Sequence, residues 1–226
     1  MIKQISLAVF FAVCATQAQA HLIIAGVIDG PLSGGVPKAI ELHAQSDIAD
    51  LSLYGLESAN NGNGASAQEF TFPSVALNAG DTIYVASESN GFMNFFGFSP
   101  DYTSSAVSIN GDDAILLYQN NAVIDVFGEV GVDGSGQSWE YTDGWAYRLT
   151  NSMPSSVFDP SQWVFSGTNA LDNESANASA GAPFPANTYA GVTTTPNPQP
   201  DPEQPDPEQP EDNIDLVSIS QVQGAL

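Results

Sequence analysis

Short apolar runs separated by turn residues fill the chain from His21 to about Gly167. "HLIIAGVI", "KAIELHA", "DLSLYGLES", "AQEFTF", "DTIYVASE", "SAVSI", "DAILLYQ", "AVIDVFG", "WAYRLT" and "QWVFSG" are rich in Val, Ile, Leu, Phe and Tyr. Several alternate with period two: Ile40 and Leu42 against Glu41 and His43, Phe70 and Phe72 against Glu69 and Thr71. Turn formers divide the runs: Asp29-Gly30-Pro31, residues 60–64, Asn78-Ala79-Gly80, Asn110-Gly111-Asp112, Asn120-Asn121 and Asp133-Gly134. This pattern predicts an all-β antiparallel sandwich or barrel. "DAILLYQNNAVIDVFG" is the clearest hairpin, because asparagine tolerates the positive φ of a two-residue turn. Helical turns fit only "NGFMNFFGF" and "DPSQW", where Asp159 can cap a turn that has Pro160 at its first position.

The ends of the chain follow other rules. "MIKQISLAVFFAVCATQAQA" has a charged start at Lys3, an apolar run from Ile5 to Ala15, and Ala18-Gln19-Ala20 at its end. That is the form of a secretory signal peptide, with cleavage expected after Ala20. The apolar run is shorter than the roughly 20 residues a membrane span requires. After Gly167 the sequence turns small, polar and aperiodic, and predicts a surface tail that packs through Phe184 and Tyr189. From residue 192 to 213 proline alternates with acid, and "DPEQP" occurs twice in tandem. Such a stretch predicts a disordered, semi-rigid spacer. "LVSISQVQ", within residues 214–226, returns to strand chemistry, and a lone strand is not stable by itself. The expected organisation is therefore a signal peptide over 1–20, a domain over 21–191 with its core in 22–167, a linker over 192–213, and an isolated strand over 214–226.

Charge narrows the function. The chain carries 3 Lys+Arg against 26 Asp+Glu. Removal of residues 1–20 would take Lys3 and no acid, leaving only Lys38 and Arg148 as cations. Nucleic-acid binding places cations on phosphates, and two cannot build that surface. The excess acid would repel a polyanion or an anionic membrane and suits solubility in salt water. The single cysteine, Cys14, lies in the expected signal peptide, so the mature domain is predicted to stand on its core without a disulfide.

Few residues offer catalytic chemistry. The histidines are His21 and His43 only, too few for a triad or for a metal-dependent phosphodiesterase site. His21, as a mature N-terminus, offers an amine and an imidazole that could chelate copper with His43. The competing expectation has His21 merely opening the first strand and His43 pointing outward. Asp112, Asp113 and Asp133, in "NGDDA" and "DGSGQSWE", are calcium candidates, although neither stretch has the acid spacing of an EF-hand. The alternative is that Asp112 or Asp113 binds backbone N–H groups around its turn. Arg148 is expected in a structural ion pair. Phe92, Phe95, Phe96 and Phe98, in a long connection, are candidates for an exposed interaction patch. Trp139, Trp145 and Trp163 could face a glycan or fill the core.

The blocks "LIIAGVIDG", "KAIELHA", "ADLSLYGL", "FTFPSVALNAGDTIYVAS", "VSINGDDAILLY", "VIDVFGEVGVDGSGQSWEY" and "FDPSQW" resemble, in order and spacing, the lamin tail domain in its bacterial secreted form. The resemblance covers about Leu22 to Gly167. It implies an immunoglobulin-like β-sandwich. It also implies a place ahead of the catalytic domain of an extracellular nuclease of the endonuclease/exonuclease/phosphatase type, with an acidic linker and an OB-like domain between them. "LVSISQVQGAL" is similar to the first strand of that OB-like domain. No catalytic residue and no cofactor is implied for the tail domain itself. The expected function is a non-catalytic accessory module whose partner is a protein, a cell surface or the downstream catalytic part. The alternatives are a free-standing binding protein for a glycan or cell-surface partner, and a copper-binding oxygenase-like protein.

Overall fold

A computed structural model of the chain describes residues 22–189. The expected signal peptide, linker and terminal strand, together with His21, lie outside the described residues. Among the described residues ten strands form two sheets: β1 (Leu22–Leu32), β2 (Val36–Ala44), β3 (Tyr54–Ala59), β4 (Phe70–Thr71), β5 (Thr82–Ala86), β6 (Tyr102–Thr103), β7 (Ala114–Gln119), β8 (Ala122–Phe127), β9 (Trp145–Arg148) and β10 (Trp163–Phe165). One sheet runs β10-β9-β1-β2-β5-β6 and the other β4-β3-β7-β8. The architecture is an all-β sandwich with one α-helix among the described residues, α1 (Ser89–Phe96).

Every named pairing is antiparallel except β5 with β6, which departs from the expected all-antiparallel arrangement. Residues 87–101, including α1, make the crossover that a parallel pair requires. β1 also continues through Asp29-Gly30-Pro31, where a turn was expected. The β1–β2 register is irregular between Asp29 and Leu32, which accommodates a proline that cannot donate to the ladder. The chain instead reverses at residues 33–35, where the Gly35 N–H reaches the Leu32 carbonyl at 2.9 Å. The β7–β8 hairpin turns on Asn120 and Asn121, with φ of 50° and 63°.

Two expected strand stretches curl instead. Leu51–Leu53 and Ser105–Val107 are 3₁₀ turns. In the first, the Asp50 carboxylate accepts from the Ser52 N–H at 3.0 Å; in the second, the Ser104 hydroxyl accepts from the Ala106 N–H at 3.1 Å. These short side chains satisfy N–H groups that a sheet ladder would otherwise use.

The main core lies between the sheets, where Ile24, Leu42 and Val85 meet Leu56, Leu117 and Phe127. The opposite face of the six-stranded sheet is also covered. Ile23, Ala25, Tyr84 and Tyr147 pack there under α1 and under Leu171, Phe184 and Tyr189 of the C-terminal segment. β1 is therefore buried on both faces, which is why "LIIA" is a continuous apolar run with no alternation.

Candidate functional site

The buried charges define the interior. Arg148, near the end of β9, places Nη2 at 2.8 and 2.7 Å from the two oxygens of Asp125 on β8. Asp125 also accepts from the Ile24 N–H at 2.9 Å and the Ser155 N–H at 3.0 Å. Arg148 Nε donates to the Ile24 carbonyl at 2.6 Å, and its guanidinium lies 4.4 Å from the Trp163 ring centre. β9 pairs with β1 only over Gly26 to Ile28, so Ile24 lies past the end of that ladder. The ion pair satisfies Ile24 and ties the two sheets together. Burial raises the Asp125 carboxyl, while Arg148 and the two N–H donors pull it down.

On the other side of the six-stranded sheet, Glu41 of β2 is 1% exposed. It accepts from the Tyr147 hydroxyl at 2.6 Å and the Tyr84 hydroxyl at 2.7 Å. The C-terminal segment closes the network. Asn187 N–H donates to Glu41 at 3.2 Å and to the Tyr84 oxygen at 3.1 Å, and the Tyr147 oxygen accepts from the Thr188 and Tyr189 N–H groups at 3.2 and 2.9 Å. Burial raises Glu41 above the usual carboxylate range, opposed by its donors. Burial and the Glu41 charge raise both tyrosines. Gly26 of β1 permits this docking, since a Cβ there would stand 2.6 Å from the Phe184 ring and 2.6 Å from the Tyr147 ring.

A third buried acid, Glu57 of β3, lies under the loop after that strand. It takes the Tyr118 hydroxyl, the Ser66 N–H and hydroxyl, and the Ala67 N–H. Burial pushes this carboxyl up, but the donors together outweigh it and leave it lowered.

The calcium candidates sit at the junction of three loops. Asp113, fully buried, accepts from the Asn61 N–H at 2.7 Å and the Asn110 N–H at 3.1 Å. Asp112 takes the Ser135 hydroxyl at 2.8 Å on one oxygen. Asp133 is exposed and takes the Ser135 N–H at 2.9 Å. Nearby, Lys38 pairs with Asp29 at 2.6 Å. Among the described residues, no three His, Cys, Asp or Glu side chains group in a way that could hold a metal by themselves.

The remaining candidates fall elsewhere. His43 points to the outer face of its sheet, as alternation requires, yet it is buried rather than open: the Tyr189 ring meets it edge-on at 5.1 Å. Burial lowers its imidazole. Phe92 and Phe95 are buried, and Phe96 and Phe98 half-buried, so the expected exposed phenylalanine patch is corrected. α1 is capped by Glu88, whose carboxylate accepts from the Gly91 and Phe92 N–H groups, and it turns its phenylalanines onto Tyr84 and Phe184. The exposed large apolar side chain of α1 is Met93. Trp139, Trp145 and Trp163 are all buried, so they fill the core. An apolar rim does exist beside β9 and β10, where a cleft of about 210 Å³ is lined by Trp145, Tyr147, Leu149, Val164 and Thr188 among others.

Sequence reasoning overlooked Glu41, Glu57 and Asp125. Each interrupts an apolar strand, and such an acid usually faces solvent. The available signal was the number of tyrosines and serines that could serve them. Comparison with protein-family models, with curated proteins and with solved structures found no match.

Proposed function

We propose that this chain is a secreted, non-catalytic accessory module with the immunoglobulin-like fold of a lamin tail domain, serving an extracellular nuclease whose catalytic part lies outside residues 21–191. The resemblance of the sequence blocks supports the family. The observation that carries the non-catalytic reading is the use of the buried charges. Asp29, Glu41, Glu57, Asp113 and Asp125 each bind backbone N–H groups, tyrosine hydroxyls or a cation, and Lys38 and Arg148 are both in ion pairs. Groups fixed in this way build the frame and are not poised to exchange protons with a substrate.

Its partner is a protein or a cell surface, or the downstream catalytic part. Direct contact with nucleic acid is disfavoured, because the two cations of the described residues are neutralised by Asp29 and Asp125. Incubation of the purified protein with supercoiled plasmid, Mg²⁺ and Ca²⁺ tests the reading. No nicking above a mock preparation is expected. Nicking that survives repurification and scales with this protein would overturn it.

A second reading, a free-standing binding protein, is favoured by the apolar rim. Leu149 and Val164 are 42% and 47% exposed beside the same cleft. Leu149→Asp combined with Val164→Asp would abolish cell-surface binding on that reading. Unchanged binding would remove it.

A further inference from the structure

Three loops interlock at one end of the sandwich: residues 60–63, 110–113 and 131–135. Asn61 N–H reaches Asp113 at 2.7 Å, Gly131 N–H the Asn63 carbonyl at 3.1 Å, and Gly134 N–H the Asp112 carbonyl at 2.9 Å. Gly62, at φ 73°, lets its loop press against the Asp133 backbone, where a Cβ would come to 2.7 Å of the nitrogen. Tyr141 joins them through its N–H, which reaches the Gly111 carbonyl at 2.8 Å.

Polar atoms at this junction lack protein partners. Asp112 is 8% exposed, and its Oδ1 is buried with no hydrogen bond. The side-chain oxygen of Asn60 and the hydroxyl of the fully buried Tyr141 are in the same condition. The three carboxylates that act electrostatically on that hydroxyl are Asp29, Asp112 and Asp113. All three are buried. The cation beside them is Lys38, which pairs with Asp29 and also acts on Asp113. Arg148 is committed to Asp125. The cluster thus gathers three buried carboxyl groups around one cation, beside oxygens that accept nothing. Uncompensated buried charge is costly, and a divalent cation is the simplest counter-charge.

We propose that this loop junction binds a calcium ion through Asp112 Oδ1 and Asn60 Oδ1, with the Tyr141 hydroxyl, backbone carbonyls and water completing the shell. Calcium suits the site because it takes six to eight oxygens in irregular geometry and accepts amide and carbonyl donors. Magnesium demands a near-ideal octahedron, and zinc prefers nitrogen and sulfur. The ion would fasten the three loops to one another. It draws on the secreted setting proposed above only for millimolar calcium in the surroundings; binding by the purified protein is independent of that setting and of any nuclease partner.

The test is thermal and urea unfolding of the purified protein in EDTA, in CaCl₂, in MgCl₂ and in NaCl of matched ionic strength. Extracellular modules bind calcium at about 10⁻⁴–10⁻³ M, so 10 mM calcium should raise the folded-to-unfolded ratio roughly 10- to 100-fold, saturably. Asp112→Asn keeps the shape, removes the charge and should lose most of that response. Asp172→Asn, on an exposed acid, should keep it. Terbium in place of calcium should luminesce on excitation of the adjoining Trp139 and Tyr141, and calcium should quench it by competition. If Asp112→Asn fails to fold, Asn60→Ala reads the same loss. An unsaturable response, an equal response to MgCl₂ or NaCl, or a full response in the folded variant would each overturn the proposal.

Discussion

Arg148 and Asp125 belong to different sheets, yet one guanidinium nitrogen stands 2.7 and 2.8 Å from the two oxygens of that carboxylate. The pair also clamps both backbone groups of Ile24. Removing one partner leaves a buried charge alone, at a cost of about 3–5 kcal/mol. Arg148→Met is therefore expected to lower the unfolding free energy by about that amount, measured by urea denaturation. A loss below about 1 kcal/mol, as for an exposed pair, would show that the bridge does not hold the sheets.

The arginine was legible in the sequence and its partner was not. With so few basic residues, an ion pair at Arg148 was a sound expectation. Nothing local pointed to Asp125, which lies 23 residues away on the other sheet. Period-two patterning marked the strands well, and Asn120-Asn121 marked the hairpin. The same rule set Glu41 and His43 on the face opposite Ile40 and Leu42, but alternation assigns a face and does not reveal what covers it. The cover here is α1 and the aperiodic C-terminal segment. Its docking depends on Phe184, Tyr189 and main-chain N–H groups that carry no sequence signature. The phenylalanine run misled for the same reason: its helix was foreseeable, but the apolar sheet face awaiting it was not.

Glu41 predicts a pH dependence. Burial raises it above its ordinary value of 4.5, so the folded protein holds this proton more tightly than the unfolded chain does. Its contribution is fully present below pH 4.5 and is lost as pH rises through the folded value. Glu41→Gln cannot titrate. Relative to that variant, the wild type should lose stability as pH rises from 4.5 towards neutrality, followed by chemical denaturation at each pH. A wild type that gains on the variant over this window would contradict a raised carboxyl.

Phe184 anchors the C-terminal segment among Trp145, Tyr147 and Phe96. Phe184→Ala is expected to cost about 3–5 kcal/mol if the segment unfolds with the domain. A smaller global loss is expected if the segment opens separately. The amides of Asn187, Thr188 and Tyr189 should then exchange with solvent well before those of β1. Equal protection of both would show that the tyrosine–Glu41 network holds the segment without the phenylalanine.

The β7–β8 turn sets a smaller expectation. Asn121 is left-handed, at φ 63°. Asn121→Val should cost about 1–2 kcal/mol, because a side chain branched at Cβ strongly disfavours that region. Asn121→Gly should be neutral or mildly stabilising. The two midpoints in urea, compared with wild type, read the difference. A stabilising valine would mean that the turn is not the two-residue type seen here.

The central claim is that the charges of this domain form its frame and perform no chemistry on a nucleic acid. The most direct measurement is the rate of plasmid nicking by the repurified protein in Mg²⁺ and Ca²⁺, over a range of protein concentrations. The account predicts a rate equal to that of a mock preparation at every concentration. A rate that rises in proportion to this protein, and that survives a second purification, would contradict it.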